Sequence, residues 1–143
     1  MDKAHDLVTS RLKVGMELKK DYTVTRSETA KTVGSGGLEV LATPILVSWV
    51  ENAAYEMASL CLPDEATTVG VNVNVDHIAA TPVGMKVRVK VFLKEIDSRK
   101  LTFEVEAWDT TQKVCQGSHQ RFVVETTRFM GKVLKKREQA AKE

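Results

Sequence analysis

Apolar residues recur along this chain with two different periods, and the first clear period is helical. Between positions 41 and 60 the stretch LATPILVSWVENAAYEMASL repeats apolar residues three and four positions apart, as one face of a helix requires. Thr43 suits the N-cap, and Pro44 suits the first helical position, where its missing N–H costs nothing. The pattern predicts one long helix with a core-facing stripe of Leu46, Trp49, Val50, Ala53, Met57 and Leu60.

One carboxylate interrupts this helical pattern. Glu51 falls in a second apolar row, which is formed by Val47, Ala54 and Ala58. Removing a carboxylate from water without a partner costs several kcal/mol or raises its pKa. We therefore expect a polar partner for Glu51 in whatever packs against this row.

Four segments after the helix predict β-strands, because their apolar residues recur at every second position. The first, VGVNVNVDH, places on one face Val69, Val71, Val73, Val75 and His77. The next two share an apolar face made of Val87, Val89, Val91, Leu93, Leu101, Phe103, Val105 and Ala107. The fourth, KVCQGSHQRFVVET, begins at residue 113. The turns DSRK and TTQ separate the last three strands, so we expect an antiparallel meander.

Three further segments complete the predicted fold. KDYTVTRSET, at 20–29, predicts a short first strand, the glycine-rich stretch 31–40 predicts a mobile loop, and 129–142 predicts a basic surface helix. Together the elements predict an α+β fold, an antiparallel sheet of about five strands wrapped around one long central helix, in a single domain over residues 1–143. A helix that is apolar on most sides needs more cover than this sheet provides, so we expect a homodimer.

Composition argues against several classes of protein. A formal net charge of +2 over 143 residues is too small to indicate a nucleic-acid partner. No apolar run approaches the ~20 residues that span a bilayer, and MDKAHDLVTSRL lacks the apolar core of a signal peptide. We therefore expect a cytoplasmic protein without a membrane partner. Cys61 and Cys115 lie far apart without metal-ligand spacing, which favours two reduced thiols.

Polar residues in apolar faces are the candidates for chemistry. Glu51 on the helix and His77 on the inward strand face form either a buried structural pair or a general base with its partner. A hydroxyl at the position of Thr43 caps the helix or holds an oxyanion or thioester carbonyl. Arg121 is expected at the surface, and His119 is expected behind the site or at the surface. No GxGxxG, P-loop, GxSxG or HExxH pattern occurs in the sequence.

The order of strand, long helix and four strands resembles the hot-dog fold, and three stretches resemble the fluoroacetyl-CoA thioesterase family within it. They are ATPILVSWVE, VGVNVNVDHIAATPVGM and GSHQRFVV, and the resemblance extends roughly over residues 12–133. The family's catalytic threonine, glutamate and histidine match Thr43, Glu51 and His77. Its glycine and arginine, assigned to substrate binding, match Gly70 and Arg121.

This resemblance implies that a homodimer hydrolyses a short-chain acyl-CoA thioester to the free acid and CoA. Glu51 is then the base or the nucleophile, Thr43 holds the substrate and assists proton transfer, and His77 stabilises charge or returns a proton to the leaving thiolate. Gly70 lets the substrate approach the backbone. No cofactor or metal is expected, because CoA is part of the substrate.

One segment departs from the family. The fluoroacetyl enzyme closes its pocket with a phenylalanine-bearing lid, whereas VGSGGLEV at 33–40 contains no aromatic residue. We therefore expect thioester hydrolysis without strong selectivity for a fluorinated acyl group. Two other functions stay open, a hot-dog hydratase or dehydratase that acts on an acyl-CoA, and a non-catalytic acyl-CoA binding module.

Overall fold

The computed structural model describes residues 11–142, and the elements follow the predicted order. Residues 1–10, on which the expectation about a signal peptide largely rests, and residue 143 lie outside the described residues. The elements are β1 (Glu17–Thr23), a 3-10 turn (Arg26–Glu28), α1 (Ala30–Val33), α2 (Thr43–Ser59), β2 (Ala66–His77), β3 (Lys86–Asp97), β4 (Lys100–Trp108), β5 (Lys113–Glu125) and α3 (Thr126–Lys142).

All five strands form one antiparallel sheet in the order β1-β3-β4-β5-β2. Short turns make β3, β4 and β5 neighbours, and β1 and β2 form the two edges. The central helix α2 packs against one face of the sheet, where it contacts β1, β2 and β3. The apolar residues predicted to face inward from β3 and β4 are all buried. The α+β prediction is therefore confirmed.

Helix α2 buries one face in this chain rather than most of its circumference. Its buried residues recur three and four positions apart and are Leu46, Trp49, Val50, Ala53, Ala54, Met57 and Ala58. The prediction is wrong for Leu60, which is 70 % exposed. The helix ends at Ser59, so Leu60 leaves the stripe, and the following Cys61 and Leu62 are buried in its place.

The glycine-rich segment before α2 contains more regular structure than the predicted loop. It begins with the single-turn helix α1, which Gly34 ends in the left-handed conformation with a φ of 82°. The N–H of Ala30 donates to the carbonyl of Val40 (2.8 Å), and the N–H of Leu41 donates to the carbonyl of Thr81 (2.9 Å). These bonds fix the end of the segment beside the start of α2.

The C-terminal helix α3 lies outside the core, since none of its residues is buried. This confirms the predicted surface helix, which begins three residues earlier than expected, at Thr126. Within residues 11–142, no helix is both long enough and apolar enough to cross a membrane. Cys61 and Cys115 are both buried free thiols, as predicted.

Candidate active site

A β-bulge in β2 decides which of its residues face α2. The register against β5 shifts between Gly70 and Asn72, which makes Val71 the extra residue and leaves it 47 % exposed. Before the bulge, Thr68 and Gly70 face the helix. After it, the inward face continues through Val73, Val75 and His77. The alternation predicted for this strand is therefore right for these last three residues and wrong for Val69 and Val71.

Glu51 meets an arginine on the inward face of the sheet. Its Oε2 lies 3.6 Å from Nη1 of Arg121, whose side chain is 8 % exposed, whereas that of Glu51 is 43 % exposed. The expectation of a surface arginine is wrong, because Arg121 shares its strand face with buried residues of β5. Within the described chain, Arg121 is the partner of Glu51, and neither His77 nor Thr43 forms a hydrogen bond with it.

Gly70 creates the space that this ion pair occupies. A Cβ at Gly70 would lie 2.6 Å from Oε2 of Glu51 and 3.1 Å from Nη1 of Arg121. Contacts this short require the neighbouring groups to move, so any residue larger than glycine would displace the carboxylate. Gly70 therefore shapes the site by having no side chain.

Arg121 is held by partners that the sequence did not reveal. Its Nε donates to Oγ1 of Thr68 (2.8 Å), and its Nη2 donates to the carbonyl of Thr68 (3.1 Å). Its Nη1 lies 3.2 Å from Nε2 of His119, and the ring of Tyr55 lies 5.9 Å from its Cζ. Burial lowers the pKa of the Arg121 guanidinium, and the Glu51 carboxylate opposes that effect.

Thr43 and His77 form a second polar group at the start of α2. Oγ1 of Thr43 and Nδ1 of His77 are 2.8 Å apart. The N-cap prediction for Thr43 is wrong, because Ala42 is the N-cap and its carbonyl accepts the bonds from Ile45 and Leu46. Thr43 is thus the first helical residue and Pro44 the second, and the hydroxyl of Thr43 is directed to His77 rather than to the helix backbone.

His77 has one ring nitrogen without a partner. Its Nε2 is buried and forms no hydrogen bond within residues 11–142. Burial lowers the pKa of the His77 imidazole, and the backbone of Ala79 partly opposes this effect. A cavity of about 320 Å³ adjoins the pair, lined by Thr43 and His77 together with Ala30, Ser35, Val40 and Ile78. A neutral imidazole beside this cavity is able to accept or donate a proton.

A larger concavity of about 440 Å³ lies on the opposite face of the sheet, around Trp108. Its carboxylates are engaged, since Asp21 accepts two bonds from Arg88, and Asp109 accepts bonds from the backbone and hydroxyl of Thr111. Both carboxylates are therefore already bonded, whereas the Glu51 carboxylate on the helix side of the sheet accepts no hydrogen bond within the described chain.

Both cysteines are buried, and Cys115 is not a candidate nucleophile. Burial raises the pKa of the Cys115 thiol to about 11, so the reactive thiolate is not formed near neutral pH. Across the described residues, no three His, Cys, Asp or Glu side chains are grouped as metal ligands.

The arrangement of one antiparallel sheet around the long helix α2 is the hot-dog fold. A Thermus thermophilus hypothetical protein, described as a thioesterase superfamily member, superimposes with a TM-score of 0.85 over 92 % of this chain and 97 % of its own. Its identity of 21 % supports the fold alone.

Comparison with known enzymes gives the family. Residues 24–127 match the family model described as FlK, fluoroacetyl-CoA-specific thioesterase. The fluoroacetyl-CoA thioesterase of Streptantibioticus cattleyicolor is 33 % identical over 98 residues, which are 68 % of this chain and 70 % of that protein. A FlK variant solved in complex with acetyl-CoA has a TM-score of 0.83 at 27 % identity and covers 87 % of this chain and 98 % of its own. The chain belongs to the fluoroacetyl-CoA-specific thioesterase family and is an acyl-CoA thioesterase.

Proposed function

We propose that the protein hydrolyses a short-chain acyl-CoA to the free acid and CoA in the cytoplasm, with Glu51, Thr43 and His77 as its catalytic residues. The observation that carries this proposal is the Glu51 carboxylate, which lies beside a buried arginine and over a glycine, and which accepts no hydrogen bond within the described chain. Its oxygens are available to water or to substrate. FlK variants solved with acetyl-CoA, and with fluoroacetate and CoA, support acyl-CoA as the ligand class.

Glu51 has two possible roles in this reaction. As a base, it takes a proton from water while the water oxygen bonds to the thioester carbonyl carbon, and the C–S bond then breaks to release the thiolate. As a nucleophile, its own oxygen attacks that carbon and expels the thiolate, and water then hydrolyses the anhydride and restores the carboxylate. Both routes need the Glu51 carboxylate to be held in one place. The guanidinium of Arg121, 3.6 Å away, holds it there.

Thr43 and His77 supply hydrogen bonds and a proton. When the Thr43 hydroxyl donates to Nδ1 of His77, Nε2 carries the ring hydrogen and can donate it to the thioester oxygen or the leaving sulfur. The lowered pKa of His77 keeps the imidazole neutral near pH 7, so it exchanges protons rather than acting as a fixed cation.

A homodimer would bring these two groups together. Glu51 is eight positions after Thr43 on α2, which places them about 12 Å apart along one helix. When β2 pairs antiparallel with a copy of itself about a two-fold axis, the His77 end of one strand approaches the Gly70 half of the other. The pair of Thr43 and His77 then approaches the partner's Glu51.

The two sheet edges support pairing through β2. The edge strand β1 carries a run of charged side chains that discourages pairing with another strand. By contrast, β2 has no charged residue from Ala66 to Val75, and Val71 and the nearby Ile78 are about half exposed. Light scattering at micromolar concentration should give at least the mass of two chains, and the mass of one chain would contradict this arrangement.

Selectivity for the acyl group is expected to be weak. The segment 33–40, which borders the cavity beside His77, contains no aromatic side chain. Each apolar contact contributes about 1–3 kcal/mol of discrimination, so an enzyme without the lid should lose tens- to a few hundred-fold in selectivity. We expect hydrolysis of several short acyl-CoAs, and a several-thousand-fold preference for fluoroacetyl-CoA over acetyl-CoA would contradict this expectation.

One substrate panel tests the proposed function. Acetyl-, propionyl-, butyryl- and fluoroacetyl-CoA are each incubated with the protein, and released thiol is followed with DTNB. We expect thiol release from several of them. Tight binding measured by calorimetry without release would instead identify a binding module. Loss of the double bond of a 2-enoyl-CoA without release of thiol would identify a hydratase.

A further inference from the structure

His119 is a buried histidine that the proposed reaction does not use directly. It lies on the inward face of β5, fully shielded from solvent, with its ring 6.2 Å from that of Phe103. Both ring nitrogens have partners. Nδ1 lies 2.7 Å from the carbonyl oxygen of Asn72, and Nε2 lies 3.2 Å from Nη1 of Arg121.

These partners determine where the ring hydrogen is. A carbonyl oxygen only accepts, so Nδ1 carries the hydrogen and donates it to Asn72. A guanidinium only donates, so Nε2 is an acceptor for Arg121. The imidazole is therefore neutral and has a single tautomer, with one nitrogen bonded to β2 and the other to the arginine that faces Glu51.

The bonds of His119 join the bulge to the ion pair. Asn72 follows the extra residue of the bulge, Val71, and Gly70 precedes it. Glu51 packs against Gly70. Cε1 of His119 would lie 3.5 Å from a Cβ at Gly70, so the ring also borders the gap at that glycine. The His119 side chain thus bonds to Asn72 and Arg121 and lies beside Gly70. Arg121 and Gly70 both border the Glu51 carboxylate.

We infer that His119 is a positioning residue for thioester hydrolysis: as an acceptor for Arg121 it fixes the guanidinium that holds Glu51. This inference rests on the proposed function, because it assigns His119 an effect only through Glu51. An imidazole that merely filled the core would be replaced by any side chain of its size, whereas a positioning imidazole is replaced only by a group that accepts a bond from Arg121.

Two amide substitutions separate the functions of the two ring nitrogens. The amide of His119→Gln reaches the place of Nε2 and can accept from Arg121, whereas that of His119→Asn reaches the place of Nδ1 and can donate to Asn72. We expect His119→Gln to keep kcat within about threefold of wild type, and His119→Asn to lower it about 10- to 100-fold with KM changed less than threefold, because small displacements of a catalytic group have effects of this size. Gln120→Ala, a neighbour on the opposite face of β5, is the control that keeps wild-type kcat.

The pair of variants gives a decision even if a third, His119→Phe, does not fold. Equal turnover in His119→Gln and His119→Asn, or higher turnover in His119→Asn, would overturn the inference, as would a folded His119→Phe with wild-type kcat. Glu51→Gln is measured in parallel. If it keeps wild-type turnover, the proposed function fails, whereas loss in Glu51→Gln with equal amide variants means that only the role of His119 fails.

Discussion

Two glutamates of helix α2 each lie beside a cation of the sheet, Glu56 beside Lys20 and Glu51 beside Arg121. The two pairs differ in whether the carboxylate oxygens are already hydrogen-bonded. Oε1 of Glu56 lies 2.5 Å from Nζ of Lys20, which also donates to Oδ1 of Asn52 (2.8 Å). Both side chains of this pair are partly exposed. Glu51 lies 3.6 Å from the buried Arg121 and accepts no hydrogen bond within the described chain. The first pair is a closed hydrogen-bonded cluster, and the second is a carboxylate held near a cation with its oxygens available.

The surroundings reinforce this difference. Tyr22 donates to Asn52 (2.6 Å) and stacks on Trp49, so the cluster around Glu56 is closed by aromatic rings. Burial, aided by the nearby charge of Glu56, raises the pKa of Tyr22 to about 12, so its hydroxyl remains a donor at neutral pH. The Glu51 carboxylate instead packs against Gly70, and it accepts no hydrogen bond within the described chain. An ion pair between this helix and the sheet therefore indicates function only when the carboxylate oxygens are not already hydrogen-bonded.

Among variants of residues other than the two glutamates, removal of the His77 side chain should lower kcat the most. His77→Ala removes the proposed proton donor, so we expect kcat to fall about 100-fold or more. Residues that act as one unit are not additive, so combining it with Glu51→Gln should lower kcat much less than the product of the two single effects. Thiol-release kinetics on both single variants and the double variant check this. Fully multiplicative losses would separate His77 from the chemistry of Glu51.

A methyl group at Gly70 should disturb the pair of Glu51 and Arg121 but not the pair of Glu56 and Lys20. Gly70→Ala places a Cβ 2.6 Å from Oε2 of Glu51, so the carboxylate must move. We expect kcat to fall by about 10- to 100-fold, because displacements near 1 Å have effects of this order. Kinetics and a melting curve are recorded together. Unchanged turnover in a folded Gly70→Ala protein would show that the place of Glu51 is not critical.

The buried imidazoles should make stability depend on pH. Burial lowers the pKa of both His77 and His119 below the ordinary value of 6.5. As pH falls below 6.5, the unfolded chain binds protons on these rings that the folded chain resists, so the free energy of unfolding decreases. We expect a lower Tm near pH 5.5 than near pH 7.5, and a weaker decrease in His119→Gln. An identical decrease in wild type and His119→Gln would remove His119 from this effect.

We expect the smallest change in turnover when the pair of Lys20 and Glu56 is broken. Lys20→Met breaks the contact with Glu56, but both side chains are partly exposed, so we expect a loss of about 0.2–1 kcal/mol in the free energy of unfolding. Turnover should stay within about twofold of wild type, since the cluster contacts no proposed catalytic group. Urea unfolding and thiol release measure the two quantities. A tenfold loss of turnover would mean that this cluster also supports the site.

The sequence predicted the parts of the fold that follow simple periods. The apolar residues of β3 and β4 alternate cleanly, and all of those predicted to face inward are buried. The bulge in β2 could not be predicted, because its valines continue the alternation through Val71. The register of β2 against β5 and the packing of Glu51 against Gly70 show where the strand changes face.

The pattern of the sequence indicates candidate residues for the site, but it does not give the contacts between them in this chain. Glu51 was recognised as a carboxylate in an apolar row, yet its partner in this chain is Arg121 rather than His77. Both faces of β5 contain apolar and polar residues, so the pattern could not tell which one is buried. Thr43 has the residue type of an N-cap, and only three-dimensional proximity shows that its hydroxyl meets His77.

The most direct measurement compares turnover of Glu51→Gln and Glu56→Gln, two identical substitutions on one helix. Each keeps the side-chain volume and removes the charge. With both variants folded by their melting curves, we predict that Glu51→Gln lowers kcat for acetyl-CoA about 100-fold or more, whereas Glu56→Gln stays within about twofold of wild type. A folded Glu51→Gln enzyme with near wild-type kcat would contradict the account and make both glutamates structural.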